Sequence, residues 1–323
     1  MDNTTVLTFT LTAYAVMKNK SGFFTLFLLL YLLIITLNLI LLTLIQQTKK
    51  LHQPMNVFTF LLCLNELYGS TAFLPPTMSL LLSKTYEIPV KHCLAQVYVL
   101  HSYASLEFSF LALMAYDRYL AICYPLHYHG IMSHSRMGKI IALAVAWPNI
   151  IFLCYYSITL QLTFCGRFIP KLYCVNMEVV KNSCSMPAYI SIVGLLLILV
   201  LILPQLLMVL FSYVQISRVC RKLPKESRCN ALKTCIPHLL SLMIYTIGSI
   251  FEIIQTRFNM NHVVAEARIF MSLFFVIIPS LFNPVVYGLG TQLIRVYLLK
   301  RLMGNKVLSE RKAKTLRQPK STG

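Results

Sequence analysis

Residues Phe23–Ile45 read FFTLFLLLYLLIITLNLILLTLI and contain no charged side chain. A helix needs about 20 apolar residues to cross the roughly 30 Å of hydrocarbon in a bilayer, at about 1.5 Å per residue. Similar apolar stretches recur along the 323 residues, of which 57% are hydrophobic and 12% are charged. Ordinary soluble domains carry about twice that charge. The composition therefore excludes a soluble enzyme and predicts one integral membrane domain.

Seven stretches are long and apolar enough to span a bilayer. They are residues 23–46, 55–82, 92–123, 137–158, 188–217, 231–256 and 264–289. The predicted fold is an all-α membrane protein, a bundle of seven transmembrane helices. Four parts follow from these limits: an extracellular N-terminus (1–22), a seven-transmembrane domain (23–290), a short amphipathic helix on the inner membrane surface (291–303) and a cytoplasmic tail (304–323).

The net charge of +19 is concentrated on one side of the predicted bundle. With the N-terminus outside, about 20 of the 29 Lys and Arg residues lie on inner segments, as the positive-inside rule expects. Anionic membrane lipid next to a basic inner face accounts for this charge without nucleic acid as a partner. Asn3-Thr4-Thr5 is a glycosylation sequon that suits an extracellular N-terminus. We therefore expect a multi-pass protein of the plasma membrane.

Four of the ten cysteines lie on the predicted outer side, where oxidation to disulfides is favoured. They are Cys93, Cys165, Cys174 and Cys184. Four cysteines allow three pairings, and their spacing does not choose among them. Three of the four lie in the outer segment Thr159–Pro187, so we expect this segment to form a pinned lid over the bundle.

Charged side chains inside a membrane are costly, so each one is a candidate for function. Glu107 lies 11 residues before Arg118, about 16 Å along a helix axis, and therefore near the bilayer centre. Glu66 in the second span reaches a similar depth. Two carboxylates that face each other in a low dielectric cannot both stay charged without a cation. Either a sodium ion binds at Glu66 and Glu107, or at least one carboxyl is protonated.

Asp117 and Arg118 form an acidic-basic pair at the inner end of the third span. Arg118 can reach water there by snorkelling, and such an anchoring role needs no acidic neighbour. An Arg held by an adjacent Asp can instead be released when helices shift, as in a two-state switch. The spacing alone does not decide between these two roles.

The sequence around this pair is more specific. Met114–Tyr128 read MAYDRYLAICYPLHY, which resembles the signature of odorant receptors within the rhodopsin-like (class A) G-protein-coupled receptors. Leu51–Phe58 (LHQPMNVF), Lys233–His238 (KTCIPH) and Pro279–Tyr287 (PSLFNPVVY) resemble further elements of this family. The likeness covers almost the whole chain. Leu64–Ser70 (LNELYGS) is closer to fish-type members than to mammalian ones.

The resemblance implies roles for several of these residues. A switch that contacts a heterotrimeric G protein, of the stimulatory kind that raises cyclic AMP, would consist of Asp117, Arg118, Tyr119, Tyr213, Asn283, Pro284 and Tyr287. Glu66 and Glu107 would be the family's central ion-site acids, although the second-helix acid is more usually Asp. Disulfides would join Cys93 to Cys174 and Cys165 to Cys184. No cofactor is implied beyond a structural sodium ion at the two acids.

A ligand pocket is expected in the outer third of the bundle, where the family places it. The third helix and the sixth helix each offer two residues that are four positions apart and therefore lie on one face of the helix. A fifth residue comes from the lid. These five are His101 and Ser105, Ser249 and Ile253, and Asn176. The expected ligand is a small-molecule odorant in a mostly apolar pocket. For the histidine and the two serines, packing between helices is an equal alternative. Whether Glu252 faces this pocket or the outer headgroups stays open.

Other classes of function fit the sequence less well. The spans contain no paired aspartates, Ser/His pair or zinc motif of an intramembrane protease, so no enzyme is expected. No internal repeat or pair of broken helices indicates a transporter. The seventh span lacks the lysine that a retinal Schiff base needs. The alternative within the receptor class is a non-olfactory class A receptor for another small ligand or a peptide. An amine ligand is disfavoured, because Leu100 stands where amine receptors place an Asp.

Overall fold

The computed structural model describes residues 6–185, 188–258 and 263–301. Within these residues lie ten α-helices: α1 (Lys20–Gln47), α2 (Pro54–Leu82), α3 (Val90–Cys123), α4 (Tyr128–Ile131), α5 (His134–Leu160), α6 (Asn176–Val180), α7 (Ala188–Lys222), α8 (Lys225–Arg257), α9 (Ala265–Gly290) and α10 (292–301). Seven of the helices, all but the short α4, α6 and α10, are long and apolar enough to cross a membrane. The predicted seven-helix bundle is confirmed.

Helix α3 lies inside the bundle, where it packs against α2, α5, α7 and α8. Leucines on the outward faces of the other helices are exposed, for example Leu29 on α1 and Leu143 on α5. In a bilayer these side chains meet lipid tails, which are as apolar as leucine. The acidic side chains of Glu66 and Glu107 are instead fully buried between helices. These two acidic residues of the spans therefore face the interior of the bundle.

The inner ends of α7 and α8 differ from the predicted limits. The fifth predicted span ends at residue 217 and the sixth begins at 231, whereas α7 continues to Lys222 and α8 begins at Lys225. Hydropathy marks only the part of a helix that crosses hydrocarbon, and basic side chains beyond it reach water while the backbone stays helical. Pro224 separates the two helices, because proline has no N–H and disfavours helical geometry in the residue before it.

A proline inside α9 is accommodated by a side chain of α1. Pro284 has no N–H to donate to the carbonyl of Ser280, four residues earlier. The Nδ2 atom of Asn38 donates to that carbonyl at 3.0 Å, and Asn38 is fully buried. Inside a membrane such a partner replaces the missing helical hydrogen bond. The contact fixes α1 against α9.

The outer end of the bundle, as we use the term, is the end that carries the N-terminal segment and the lid. A three-stranded sheet joins these parts, with β1 (Thr8–Leu11) lying between β2 (Glu87–Pro89) and β3 (Phe168–Ile169). Strand β1 is antiparallel to β2 and parallel to β3. Phe9 and Tyr14 of the N-terminal segment are fully buried. The segment and the lid thus form one cap, a feature that the sequence did not indicate.

Two disulfides pin the lid, in the pairing that the resemblance implies. Cys93 in the first turn of α3 is bonded to Cys174, and Cys165 is bonded to Cys184 within the lid. The first bond joins residues 81 positions apart and ties the lid to α3. The lid is therefore held over the outer end of the bundle, as expected.

Helix α10 falls within the predicted amphipathic stretch 291–303. The Nη1 atom of Arg301 donates to Oε1 of Gln47 at 2.8 Å, which ties α10 to the inner end of α1. Residues 302–323, with the predicted cytoplasmic tail, lie outside the described residues, as does Asn3 of the glycosylation sequon. Both the tail and the sequon therefore stay predictions.

Candidate functional site

The Asp117–Arg118 pair forms an ion pair at the inner end of α3. Nη2 of Arg118 lies 2.9 Å from Oδ2 of Asp117, whose side chain is fully buried, while that of Arg118 is 19% exposed. The hydroxyl of Tyr128, at the start of α4, donates to the other carboxylate oxygen at 2.6 Å. Burial and the neighbouring carboxylate raise the pKa of Tyr128, so its hydroxyl keeps the proton that it donates. Both oxygens of Asp117 are therefore occupied.

Tyr213 of α7 is held by a histidine of α8. Nε2 of His238 lies 2.7 Å from the carbonyl of Leu111 on α3, and because a carbonyl only accepts, this nitrogen carries the proton. The other ring nitrogen, Nδ1, then accepts from the Tyr213 hydroxyl at 2.5 Å. Three helices thus meet at one neutral imidazole. Sequence reasoning placed His238 only in a motif that resembles the family, although a histidine inside a span is itself a signal.

Like Tyr213, the predicted switch residues Tyr119, Asn283 and Tyr287 make no hydrogen bond to Arg118. The hydroxyl of Tyr287 is buried and has no partner among the described residues. The ring of Tyr119 packs edge-on against Phe211 of α7, with centroids 5.3 Å apart. Asn283 bonds to the two central acids instead. The structure therefore brings Asp117 and Arg118 together but leaves their predicted tyrosine partners apart from them.

Tyr245 and His238 connect α8 to α3 at two levels. The hydroxyl of Tyr245 donates to the carbonyl of Ala104 at 2.8 Å, and His238 donates to that of Leu111. Each pair of residues on one helix is seven positions apart, which is close to two helical turns, so the two bonds lie on one face. They form a two-rung ladder between α3 and α8 that extends from the middle of the bundle towards its inner end.

Glu66 and Glu107, which we call the acid pair, meet at the side chain of Asn283. Its Nδ2 atom lies 2.5 Å from Oε1 of Glu66 and 2.7 Å from Oε1 of Glu107. The second oxygen of Glu66 accepts from Ser280 at 2.6 Å and from Tyr103 at 3.1 Å. The two acids therefore share one depth, as their spacing predicted, although the donors around them were not foreseen.

The acid pair needs a proton or a cation, because both carboxyl groups are fully buried. Asn65 donates to Oε2 of Glu107 at 2.9 Å, and its own Oδ1 is buried without a partner among the described residues. Carboxylate and amide oxygens are suitable ligands for a hard cation. Within the described residues no group of three or more His, Cys, Asp or Glu side chains could hold a metal ion. The oxygens thus fit a sodium ion, and the neutral donors fit a protonated pair equally.

A cavity of about 200 Å³ lies between the helices towards the outer end, and we call it the bundle cavity. All five predicted ligand residues line it: His101, Ser105, Asn176, Ser249 and Ile253. The rest of the lining is mostly apolar and includes Leu100, Leu201 and Tyr245. An apolar cavity of roughly 150 Å³ already admits a molecule the size of benzene. The size and lining suit a small, largely apolar ligand.

Four side chains of the bundle cavity carry buried polar atoms without a hydrogen-bond partner among the described residues. They are Nε2 of His101, the hydroxyl of Tyr173, Oε1 of Gln205 and the amide group of Asn176. The His101 ring stacks on Phe152 at 3.5 Å between centroids, so it does not bond to a neighbouring helix through Nε2. Ser249 instead donates to its own helix, at Tyr245. Gln205 was missed, although it interrupts a long apolar stretch of α7.

The structure answers the open question about Glu252. This side chain lines the bundle cavity and is buried, and it does not face the headgroups. Its Oε1 atom lies 3.1 Å from Nζ of Lys171, a buried lysine of the lid. Ser272 of α9 donates to the other carboxylate oxygen at 3.4 Å. Sequence reasoning missed Lys171, because only the folded lid brings it to α8.

The fold and these sites define a seven-helix membrane receptor, and comparison with known proteins gives its family. A family model described as Olfactory receptor matches residues 27–306. The human protein Olfactory receptor 52N2 is 31% identical over 281 residues, which cover 86% of this chain and 87% of the relative. Human Olfactory receptor 51L1 is 32% identical over 286 residues, which cover 86% and 89%. The chain belongs to the olfactory receptor family.

Membership makes the chain a multi-pass membrane receptor and not an enzyme. It also favours an odorant receptor over the alternative of a non-olfactory class A receptor. The particular likeness of α2 to fish-type members stays a prediction.

Proposed function

We propose that the bundle cavity binds a small-molecule odorant and that binding activates a stimulatory G protein through Arg118. The observation that carries this proposal is the unpaired polar lining of an otherwise apolar cavity. A buried polar atom without a partner loses its hydrogen bond to water on folding, and a ligand can restore one. His101 would orient the ligand, and the apolar walls would exclude water.

The ladder between α3 and α8 supports a route from the cavity to the inner end. Tyr245 both lines the bundle cavity and donates to α3. A ligand that moves this side chain therefore biases α8 against α3, and the next rung on the same helix face is His238. Release of that histidine frees Tyr213. With α8 displaced, Arg118 leaves Asp117 and contacts the G protein.

The placement in the cell follows the same proposal. The receptor lies in the plasma membrane with its N-terminus outside, where the two disulfides are stable in an oxidising environment and Asn3 is glycosylated. The basic segment at the inner ends of α7 and α8 then faces anionic lipid and the G protein. A sodium ion or a proton at the acid pair holds the resting arrangement.

The test is a cyclic-AMP assay in cells that express the receptor, screened with odorant mixtures. Arg118→Ala should reduce the odorant response by at least about tenfold, because Arg118 would contact the G protein in every active receptor. Arg136→Ala is the matched control, because Arg136 is an exposed arginine at the inner end of α5. Surface expression is measured in parallel for each variant. An undiminished response with normal surface expression in Arg118→Ala would rule out its proposed role.

A further inference from the structure

A second cavity, of about 370 Å³, lies at the outer end, and we call it the vestibule. Its walls come from the 3₁₀ turn Thr12–Ala15, from the lid, and from the outer ends of α8 and α9. Gln255 and Arg257 of α8 line it, as does Arg268 of α9. The vestibule is therefore built from parts of the chain that are distant in sequence.

Positive charge dominates the vestibule lining. Its described charged residues are four cations and one carboxylate: Lys171, Lys181, Arg257, Arg268 and Glu178. Lys181 is paired with Glu178 at 2.6 Å, and Lys171 with Glu252 at 3.1 Å. Among the described residues, Arg257 donates only to Ser191, a neutral residue, and no carboxylate pairs with Arg257 or Arg268. The described part of the lining therefore carries two positive charges without a paired carboxylate.

The vestibule also contains two buried donors that lack an acceptor within the described part of the chain. Gln255 is 8% exposed, and its Nε2 atom has no partner among the described residues. Its Oε1 atom is by contrast already used, since Nζ of Lys171 lies 3.3 Å away. The Nε atom of Arg268 is likewise buried and unpaired. Both unsatisfied atoms are N–H groups, so the missing partner is an acceptor.

We propose that the vestibule is a binding site for a small oxyanion, a carboxylate or a phosphate. Such a group accepts from several N–H donors at once and pairs with guanidinium through two parallel bonds. Arg268 and Gln255 would donate hydrogen bonds to the oxyanion, and the positive charge of Arg257 would attract it. This site lies beside the bundle cavity, with which it shares Arg257, and it does not depend on the proposed odorant.

The Lys171–Glu252 ion pair lies on the boundary between the two cavities. Lys171 lines the vestibule and Glu252 lines the bundle cavity. An oxyanion in the vestibule attracts Lys171 and weakens its hold on Glu252, which changes the polar lining of the bundle cavity. By linkage, a ligand that contacts Glu252 changes the affinity of the vestibule for its anion by the same factor.

Thermal unfolding of the purified full-length receptor tests the site without any odorant. Sodium chloride is replaced by sodium acetate or sodium phosphate, and choline chloride is added where needed so that the sodium concentration and the ionic strength are the same in all three buffers. Binding to the folded state should raise Tm by about 3 °C in at least one of the two oxyanions. A rise in acetate alone identifies a carboxylate site and a rise in phosphate alone a phosphate site. The same Tm in all three salts overturns the proposal.

Variants show whether a rise comes from the vestibule. Arg268→Gln should remove it, and Lys84→Gln should keep it, because Lys84 is an exposed lysine of the outer end that does not line the vestibule. Gln255→Glu places a carboxylate there, so it should raise Tm in chloride and lose the response to added oxyanion. This variant gives an answer even where Arg268→Gln folds poorly. A full rise that persists in both Arg268→Gln and Gln255→Glu also overturns the proposal.

Discussion

The acid pair and the bundle cavity lie next to each other along α3, but they differ in the hydrogen bonding of their buried polar atoms. Every carboxylate oxygen of Glu66 and Glu107 accepts at least one hydrogen bond. In the bundle cavity, His101 and Gln205 each keep a buried polar atom without a partner among the described residues. Carboxyl groups whose oxygens all have donors fix one arrangement of the helices around them, whereas a cavity with unpaired polar groups is completed by a molecule that enters it.

The difference separates a structural centre from a binding site. The acid pair gathers side chains from α2, α3 and α9, so its bonds hold three helices in register. The bundle cavity is bounded by α3, α5, α7, α8, α9 and the lid, and most of its lining is apolar. We therefore expect substitutions in the acid pair to affect folding and those in the cavity to affect ligand response.

The largest effect should come from Glu107→Leu. This change leaves the N–H groups of Asn65 and Asn283 buried without the acceptor that Glu107 provided, and each such loss costs about 1–3 kcal/mol. Surface expression, measured by labelling an N-terminal tag in intact cells, should fall more than about fivefold. His101→Leu removes a group that has no partner at Nε2, so its surface expression should stay within about twofold. Equal losses in the two variants would contradict the contrast between the sites.

A smaller effect, on ligand response alone, should follow from His101→Ala. If His101 bonds to the odorant, its loss removes roughly 1.4 kcal/mol of binding and raises the half-maximal concentration about tenfold. The maximal cyclic-AMP response should change little, because the inner end is intact. His92→Ala is the control, since His92 is an exposed histidine at the outer end of the same helix. Unchanged potency for every active odorant would show that His101 serves only packing.

The sequence predicted the bundle well and the cap poorly. The limits of α2 and α3 agree with the predicted spans to within two residues. They do so because the thickness of the hydrocarbon sets the length of the apolar stretch in the sequence. The cavity residues were predicted from the family's usual pocket location, together with a spacing of four that places side chains on one helix face. The Lys171–Glu252 pair joins residues 81 positions apart through an irregular lid, and no periodic pattern indicates such a contact.

The smallest effect should be the sodium response of the acid pair. A sodium ion there stabilises the arrangement in which both acids meet at Asn283, so it should lower basal signalling by about twofold when its concentration equals its dissociation constant. Glu66→Gln removes one negative charge and should abolish this response, measured as basal cyclic AMP with choline replacing sodium outside the cells. Glu87→Gln, at an exposed position of strand β2, should retain it. An identical sodium response in wild type and Glu66→Gln would mean that a proton neutralises the pair, since a protonated carboxyl and an amide hold the same zero charge.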